Sequence, residues 1–269
     1  MDNAIKKFIV ALTLLAAFAA SSGAFLGVTP SMNELVVTPG EEYSGVFIVE
    51  NSGDEKALVT VDPQDWWKAK TSVSSVPLEQ WLTIKPNKPF ALGAGKKKKI
   101  KYKISLTPGT TGEVAAMIFF QATPIHAAGG NVIATRNGVS LYVVAKGSAN
   151  IDGEIKSISP SFAGTALKSA LNVAVLVKNT GDVHVRPGGE ISVFSKGKLV
   201  ASAKLEWGWP VYPGQEHPFS ALTEKKDWEA GRYTVVVRMD YGRPYSEDVI
   251  MQSATDVTID ADGKITTGY

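Results

Sequence analysis

The stretch that decides the fold runs from Val28 to Pro63 and reads VTPSMNELVVTPGEEYSGVFIVENSGDEKALVTVDP. Its β-branched and aromatic residues alternate in part with polar residues, which is the pattern of strands with one buried face. Pro39-Gly40 and the run from Asn51 to Asp54 interrupt that pattern with turn-forming residues. The stretch therefore predicts two strands and then a third, joined by tight turns, at the start of an antiparallel sandwich.

The following segments continue the same strand pattern. In KIKYKI, residues 99–104, lysines alternate with Ile and Tyr, so one face of this strand is expected to be buried and the other solvated. Val114 to Phe120 is continuously apolar, as in a central strand. The Pro, Gly and Ala residues from Ala122 to Asn137 predict a long hairpin loop. Both faces of the next strand, Gly138 to Ala145, are apolar, so we expect this strand to lie at a sheet edge and accept a partner.

A second sandwich is predicted after a short linker, Lys146 to Asp152. The segment LNVAVLVKNTGD at 171–182 repeats the pattern of FIVENSGD at 47–54, an alternating strand that leads into Asn-x-Gly-Asp. Tyr233 opens a later strand shortly after Trp228, as in the tyrosine corner of sandwich domains, where the hydroxyl bonds to nearby backbone. We therefore predict an all-β chain of two consecutive immunoglobulin-like β-sandwich domains, residues 25–148 and 149–252, followed by a polar C-terminal tail or a small extra hairpin, 253–269.

Composition excludes several classes of function. The chain has 269 residues, enough for two domains that each bury a core. It contains no cysteine, which excludes disulfides, thiolate metal sites and thiol nucleophiles. The formal net charge is +2, far from the basic excess of a protein that binds nucleic acid through its phosphates.

The first residues predict export. Lys6 and Lys7 precede an apolar run, Phe8 to Ala20, and Ser22-Gly23-Ala24 supplies the small residues of a cleavage site. We interpret residues 1–24 as a signal peptide, with Phe25 as the first mature residue. An uncleaved anchor is the alternative, but the run is shorter than the ~20 residues of a spanning helix. The mature protein is expected in the periplasm or at the cell surface, without a membrane span.

Two surface features are candidates for binding. Lys97, Lys99 and Lys101 define a polyanion face that could attract a cell-wall polymer, although lysines on one face of a strand are also a common solvated surface. Trp207, Trp209 and Tyr212 could stack against a sugar ring or pack between the two domains.

No motif in the chain predicts catalysis, a cofactor or a metal. The three histidines, His126, His184 and His217, lie in different loops without a partner at helical spacing, and no nucleophile elbow, phosphate loop or zinc motif occurs. Residues 258–269 have the alternate oxygen side chains of a calcium loop, but Thr258 and Tyr269 stand where carboxylates are needed, and an Asp-Gly hairpin turn explains the same residues.

The order of strands and turns in the first half resembles that of bacterial exported immunoglobulin-like domains. The segments that carry the resemblance are Val36 to Gly40, Val49 to Gly53, Trp81 to Pro86, Lys96 to Leu106 and Gly112 to Phe120. They resemble the first domain of PapD-like pilus chaperones and of WxL-interacting surface proteins. The second domain resembles CARDB-like and adhesion-type modules.

The resemblance to pilus chaperones implies that a client polypeptide is bound by β-strand addition to the last strand of the first domain. The residues at the matching positions are Ile133, Arg136, Val139, Leu141 and Val143. Two basic anchor residues of those chaperones have no direct match, because the first strand lacks Lys and Arg and the second anchor falls near Gly138, with Arg136 as the nearby substitute.

The sequence thus predicts a non-enzymatic exported binding protein, a chaperone-like factor for the assembly of envelope or surface polypeptides. Its expected partner is an exported or surface protein, with no nucleic acid and no cofactor. The alternative is a structural module that binds peptidoglycan or another cell-wall polymer.

Overall fold

The computed structural model describes residues 25–66, 76–125, 133–246 and 249–268. These residues form β-sandwiches with very little helix, which confirms the predicted all-β fold of two immunoglobulin-like domains. The predicted signal peptide, residues 1–24, lies outside the described residues. Within the described ranges, no helix combines the length and apolar character that crossing a membrane requires.

The first sandwich consists of two packed sheets. Its elements are β1 (Leu26–Thr29), β2 (Met32–Val37), β3 (Glu42–Asn51), β4 (Ala57–Asp65), α1 (Leu78–Trp81), β5 (Leu82–Lys85), β6 (Phe90–Leu92), β7 (Lys97–Ser105), β8 (Glu113–Pro124) and β9 (Thr135–Ala145). One sheet has the strand order β1-β3-β7-β5 and the other β2-β9-β8-β4-β6. Side chains from both sheets, including Phe47, Ile100 and Phe120, are fully buried between them.

The strands predicted from periodicity lie where their patterns require. Along β7 the lysines at 97, 99, 101 and 103 are exposed, whereas Ile100, Tyr102 and Ile104 are buried. The apolar strand β8 lies between β9 and β4, in the middle of its sheet. The hairpin loop is shorter than predicted, because β8 continues to Pro124 and β9 begins at Thr135.

Seven residues, 146–152, separate β9 from the first strand of the second sandwich. Its elements are β10 (Gly153–Phe162), a short 3-10 turn (Ala166–Lys168), β11 (Leu171–Asn179), β12 (Gly188–Ser195), β13 (Lys198–Leu205), β14 (Glu216–Leu222), β15 (Gly231–Asp240), β16 (Ile250–Ile259) and β17 (Ile265–Gly268). The sheets have the orders β10-β11-β14 and β13-β12-β15-β16-β17. Val175, Val193 and Val235 are among the fully buried residues of this separate core.

The predicted tyrosine corner is present in the second sandwich. The Tyr233 hydroxyl donates a hydrogen bond of 2.8 Å to the carbonyl oxygen of Glu229, one residue after Trp228. The bond ties Glu229, in the loop before β15, to Tyr233 within β15. The local spacing of acidic, small and tyrosine residues therefore indicated this corner correctly.

The C-terminal residues form a hairpin, which is one of the two alternatives predicted for residues 253–269. β16 extends to Ile259 and pairs with β17 across a turn at residues 260–264. The Asp260 carboxylate accepts hydrogen bonds from the backbone N–H groups of Asp262 and Lys264, and Gly263 has a φ of 80°. The spacing that resembles a calcium loop is therefore that of a turn, whose first carboxylate is engaged by backbone.

Candidate functional site

The strand proposed to receive a partner, β9, is covered on both sides over its second half. β8 pairs with β9 from Thr135 to Val144, and β2 pairs with it in parallel from Ser140 to Ala145. The prediction that Gly138 to Ala145 forms a sheet edge is therefore wrong from Ser140 onward. The parallel partner was missed because β2 lies more than one hundred residues earlier in the chain.

Three of the predicted client-binding side chains lie in the core. Val139 is 1 % exposed, and Leu141 and Val143 are fully buried. Successive strand residues point to opposite faces, so these odd-numbered residues all face the opposing sheet. The expectation that they contact a client is wrong, because their side chains already fill the first sandwich.

The first half of β9 keeps an open edge. Between Arg136 and Val139 the described residues offer ladder partners only in β8. The backbone N–H of Ser140 donates to Ser31 and that of Lys146 to Val37, on the β2 side, whereas that of Ala145 donates to Gly112 on the β8 side. Backbone groups alternate in direction along a strand, and the register with β8 is continuous, so Arg136 and Gly138 direct their N–H and C=O groups to the open edge.

Both charged and apolar side chains lie beside this open edge. Arg136 forms an ion pair of 3.2 Å with Asp62, and its guanidinium lies 3.7 Å from the centre of the Phe119 ring. Its charge is therefore already partnered within the same sheet. Ile133, which precedes β9, is 48 % exposed. Asn137 donates from its amide to the carbonyl oxygen of Leu26, so a side chain spans the gap between the sheets there.

The outer face of the same sheet contacts the second sandwich. Tyr142, on β9, is 3 % exposed, and its hydroxyl lies 2.8 Å from the hydroxyl of Tyr212. Burial and the neighbouring Tyr212 raise the pKa of Tyr142 far above its ordinary value. Tyr212 thus packs between the two domains, which is one of the two alternatives that the sequence predicted for it.

A buried cluster of charged groups joins the two sandwiches at this junction. His184, from the second sandwich, is fully buried, with Nδ1 at 2.8 Å from Glu113 Oε1 and Nε2 at 3.0 Å from Glu34 Oε1. The backbone N–H of His184 donates to the other oxygen of Glu113 at 2.7 Å. Arg186 forms an ion pair with Glu34 as well. Carboxylates on both ring nitrogens require both to donate, which only the imidazolium form can do.

The surroundings shift the pKa values of this cluster in opposite directions. Burial is the largest influence on His184 and lowers its pKa, but the charges and hydrogen bonds of Glu113 and Glu34 together outweigh it, so the pKa is raised. Burial raises the pKa of Glu34, but the hydrogen bonds and charges of His184 and Arg186 prevail and lower it. Both shifts favour the fully charged cluster.

This cluster is built for docking the domains rather than for catalysis. Both ring nitrogens of His184 are engaged by carboxylates and its side chain is closed to solvent, so a substrate cannot reach it. Glu34 and Glu113 lie on opposite sides of the ring, so the three groups do not converge on one point. Among the described residues, no group of histidines and carboxylates is arranged to hold a metal ion. Sequence reasoning missed the cluster because its members come from distant segments.

The three aromatic residues predicted to stack against a sugar ring, Trp207, Trp209 and Tyr212, lie in separate places. Trp207 and Arg243 lie with the guanidinium 4.8 Å from the ring centre, and both line a cleft of about 350 Å³ that also includes Arg186. Trp209, which is 66 % exposed, instead stacks on His217 with 5.9 Å between ring centres. The three aromatic residues therefore do not form one sugar-binding surface. His126 lies outside the described residues.

The predicted polyanion face lies on the other sheet of the first sandwich. Lys97 forms an ion pair of 2.9 Å with Glu50, whereas Lys99 and Lys101 are exposed without an ion pair to any described residue. Since the two sheets of a sandwich turn their outer faces in opposite directions, this face points away from the one that holds Tyr142.

The fold is similar to that of known fimbrial chaperones. The Escherichia coli chaperone DraB matches over 86% of this chain and 98% of its own, with 12% identity and a TM-score of 0.43. The class 5 fimbriae chaperone CfaA matches over 86% and 98%, with 14% identity and a TM-score of 0.47. The Salmonella enterica chaperone SafB, solved in complex with the SafA pilin, matches over 87% and 98%, with 13% identity and a TM-score of 0.42.

No protein-family model matches the chain, and no curated protein matches it. The likeness to the chaperones therefore concerns the course of the backbone.

Proposed function

We propose that this protein is an exported, non-enzymatic, chaperone-like factor that binds an extended segment of another exported polypeptide by β-strand addition. The segment would pair with the open edge of β9 at Arg136 to Val139. The site is thus narrower than the sequence predicted and uses backbone groups in place of the buried Val139, Leu141 and Val143. This edge is the single observation that carries the proposal.

Backbone geometry supports strand addition at this position. Arg136 and Gly138 direct their N–H and C=O groups away from β8, and β2 begins to pair only at Ser140. An added strand would satisfy these groups, and main-chain bonds of this kind supply much of the affinity in β-augmentation. The exposed Ile133 offers apolar contact beside the same edge.

The junction between the two sandwiches supports a fixed arrangement of the two domains beside the open edge of β9. Tyr142 lies further along the same strand and bonds to Tyr212 of the second sandwich. The buried ion pairs of His184 with Glu113 and Glu34 tie the same two units together. A client on the first half of β9 would therefore lie beside a junction that fixes the angle between the two sandwiches.

Hydrogen exchange tests the proposal at the level of single amides. In the free protein, the N–H groups of Arg136 and Gly138 should exchange fast, whereas those of Asn137 and Val139, which face β8, should be protected. A client identified by affinity purification of the exported protein and mass spectrometry should then protect Arg136 and Gly138 as well. Binding that leaves both amides unprotected would overturn the proposal.

A pair of variants at one position separates backbone from side chain. Arg136→Ala removes the ion pair with Asp62 but keeps the outward N–H, whereas Arg136→Pro removes that N–H too. We expect Arg136→Pro to weaken client binding at least tenfold relative to Arg136→Ala, with both variants folded by circular dichroism. Equal binding by the two variants would contradict strand addition here.

A further inference from the structure

The outer face of the sheet β1-β3-β7-β5 carries a mixed apolar and basic patch. Val46 and Ile48 lie on this face of β3 and are 39 % and 40 % exposed. Their register partners on β7 are Lys101 and Lys99, and Lys101 is in turn opposite Lys85 of β5. We call these five residues the lysine patch.

No described residue supplies a counter-charge to the three lysines of the lysine patch. On either side of the patch, Lys97 pairs with Glu50 and Lys103 pairs with Glu42 at 2.7 Å. Lys85, Lys99 and Lys101 are exposed and form no ion pair with any residue in the described ranges. Like charges directly opposite each other in a sheet destabilise it, so the Lys85 and Lys101 pair has a cost that an anionic partner would offset.

The apolar pair indicates which anionic partner fits. A soluble polyanion gains only from the lysines, and Val46 and Ile48 would stay in water. At a lipid surface, apolar side chains enter the boundary of the acyl region while lysines contact anionic headgroups. The sheet also presents four neighbouring strands, about 15 to 20 Å across at the usual strand spacing, to a flat partner.

We propose that the lysine patch docks this protein on the surface of an anionic lipid bilayer. The patch and the open edge of β9 belong to opposite sheets of one sandwich, so docking would leave that edge accessible. The proposal does not depend on strand addition, since it concerns a different face and a different partner.

Vesicle binding by the full chain tests the proposal. Wild-type protein should sediment with vesicles of phosphatidylcholine and phosphatidylglycerol, and not with phosphatidylcholine alone. The triple variant Lys85→Gln, Lys99→Gln, Lys101→Gln should lose at least tenfold in affinity. The variant Val46→Ser, Ile48→Ser should lose severalfold at unchanged charge. A matched control, Lys198→Gln, Lys204→Gln, Lys226→Gln, removes the same charge from exposed positions in the second sandwich and should bind as wild type.

Three results would overturn the proposal. One is absence of binding to the anionic vesicles by the folded wild-type protein. Another is an equal loss in the matched control, which would mean that only net charge matters. The third is unchanged binding by the Val46 and Ile48 variant together with equal binding to inorganic polyphosphate, which would make the patch a general polyanion site. Thermal unfolding of every variant verifies that it is folded.

Discussion

Asn51 and Asn179 make equivalent hydrogen bonds in the two sandwiches. Each is fully buried, and each donates from Nδ2 to the carbonyl oxygen four residues later and to a second carbonyl oxygen on a distant loop or strand end. Each accepts through Oδ1 from the N–H of the glycine two residues later. The repeated Asn-x-Gly-Asp motif is thus a structural repeat, in which the asparagine holds the turn against its own core.

Replacing either asparagine should destabilise its own sandwich. Asn51→Ala and Asn179→Ala each leave two carbonyl oxygens and one N–H without their partner, so we expect a loss of about 2 to 4 kcal/mol in the free energy of unfolding. Calorimetry with separate assignment of the two unfolding transitions measures the effect. Asn87→Ala, at an exposed position, should be close to neutral. A shift of the same size in both transitions would contradict independent turns.

The charged junction predicts how stability depends on pH. His184 faces Glu34 on β2, Glu113 on β8, Tyr142 on β9, and also Tyr212 and Tyr245 of the second sandwich. Its pKa is raised on folding, so its contribution is complete below its ordinary value of 6.5 and is lost as the pH rises through the raised value. The pKa of Glu34 is lowered, so its contribution is present above 4.5 and is lost as the pH falls through the lowered value.

The domain junction should therefore be most stable between these two ordinary values, in mildly acidic solution. Denaturant unfolding across pH measures this. His184→Gln should be less stable than wild type and should lose the decline toward alkaline pH, whereas His217→Gln should keep it. Wild-type stability that rises steadily above neutral pH would contradict the protonated bridge.

The close contact between Gly45 and Tyr102 predicts a local packing defect. A Cβ atom at Gly45 would lie 2.1 Å from the Tyr102 ring, whereas one at Gly27 would meet nothing nearer than 3.9 Å. Gly45→Ala forces the ring of a residue that is 3 % exposed to move, so we expect a loss of about 1 to 3 kcal/mol. Burial raises the pKa of Tyr102 to about 12, and displacement should bring that pKa back toward 10. Gly27→Ala is the control, and equal stability of the two variants would contradict the packing.

The tyrosine corner predicts a small and specific loss. Tyr233→Phe keeps the ring and removes only the hydrogen bond to Glu229, so we expect a loss of about 1 kcal/mol. Thermal unfolding of the second sandwich measures it. Tyr43→Phe, which concerns the first sandwich, should leave that transition unchanged. No loss in Tyr233→Phe would mean that water replaces the bond at no cost.

Local patterns in the sequence were enough to predict many of the strands and turns of both sandwiches, although β10 and β14 were not predicted. The alternation along β7, the two Asn-x-Gly-Asp turns and the tyrosine corner all depend on residues within about ten positions of one another. Because side chains along a strand alternate between its two faces, a repeat of apolar residues at every second position shows which face is buried. The sequence also indicated an open edge on β9, but it placed that edge in the wrong half of the strand. Whether a strand edge is open depends on its neighbours, and periodicity within β9 holds no information about β2.

What only the tertiary structure decided is which distant residues meet. Glu34, Glu113 and His184 come from three separate segments, and each alone resembles an ordinary surface or loop residue. Their meeting depends on the register of two sheets and on the packing of two domains. In the same way, the structure separated Lys99 and Lys101 from Lys97, because only the register shows which lysines lie opposite a glutamate. The periodicity of side chains along a strand is a local property that the sequence shows directly. The pairing of strands and the contacts between distant residues depend on the whole fold, so the sequence alone does not show them.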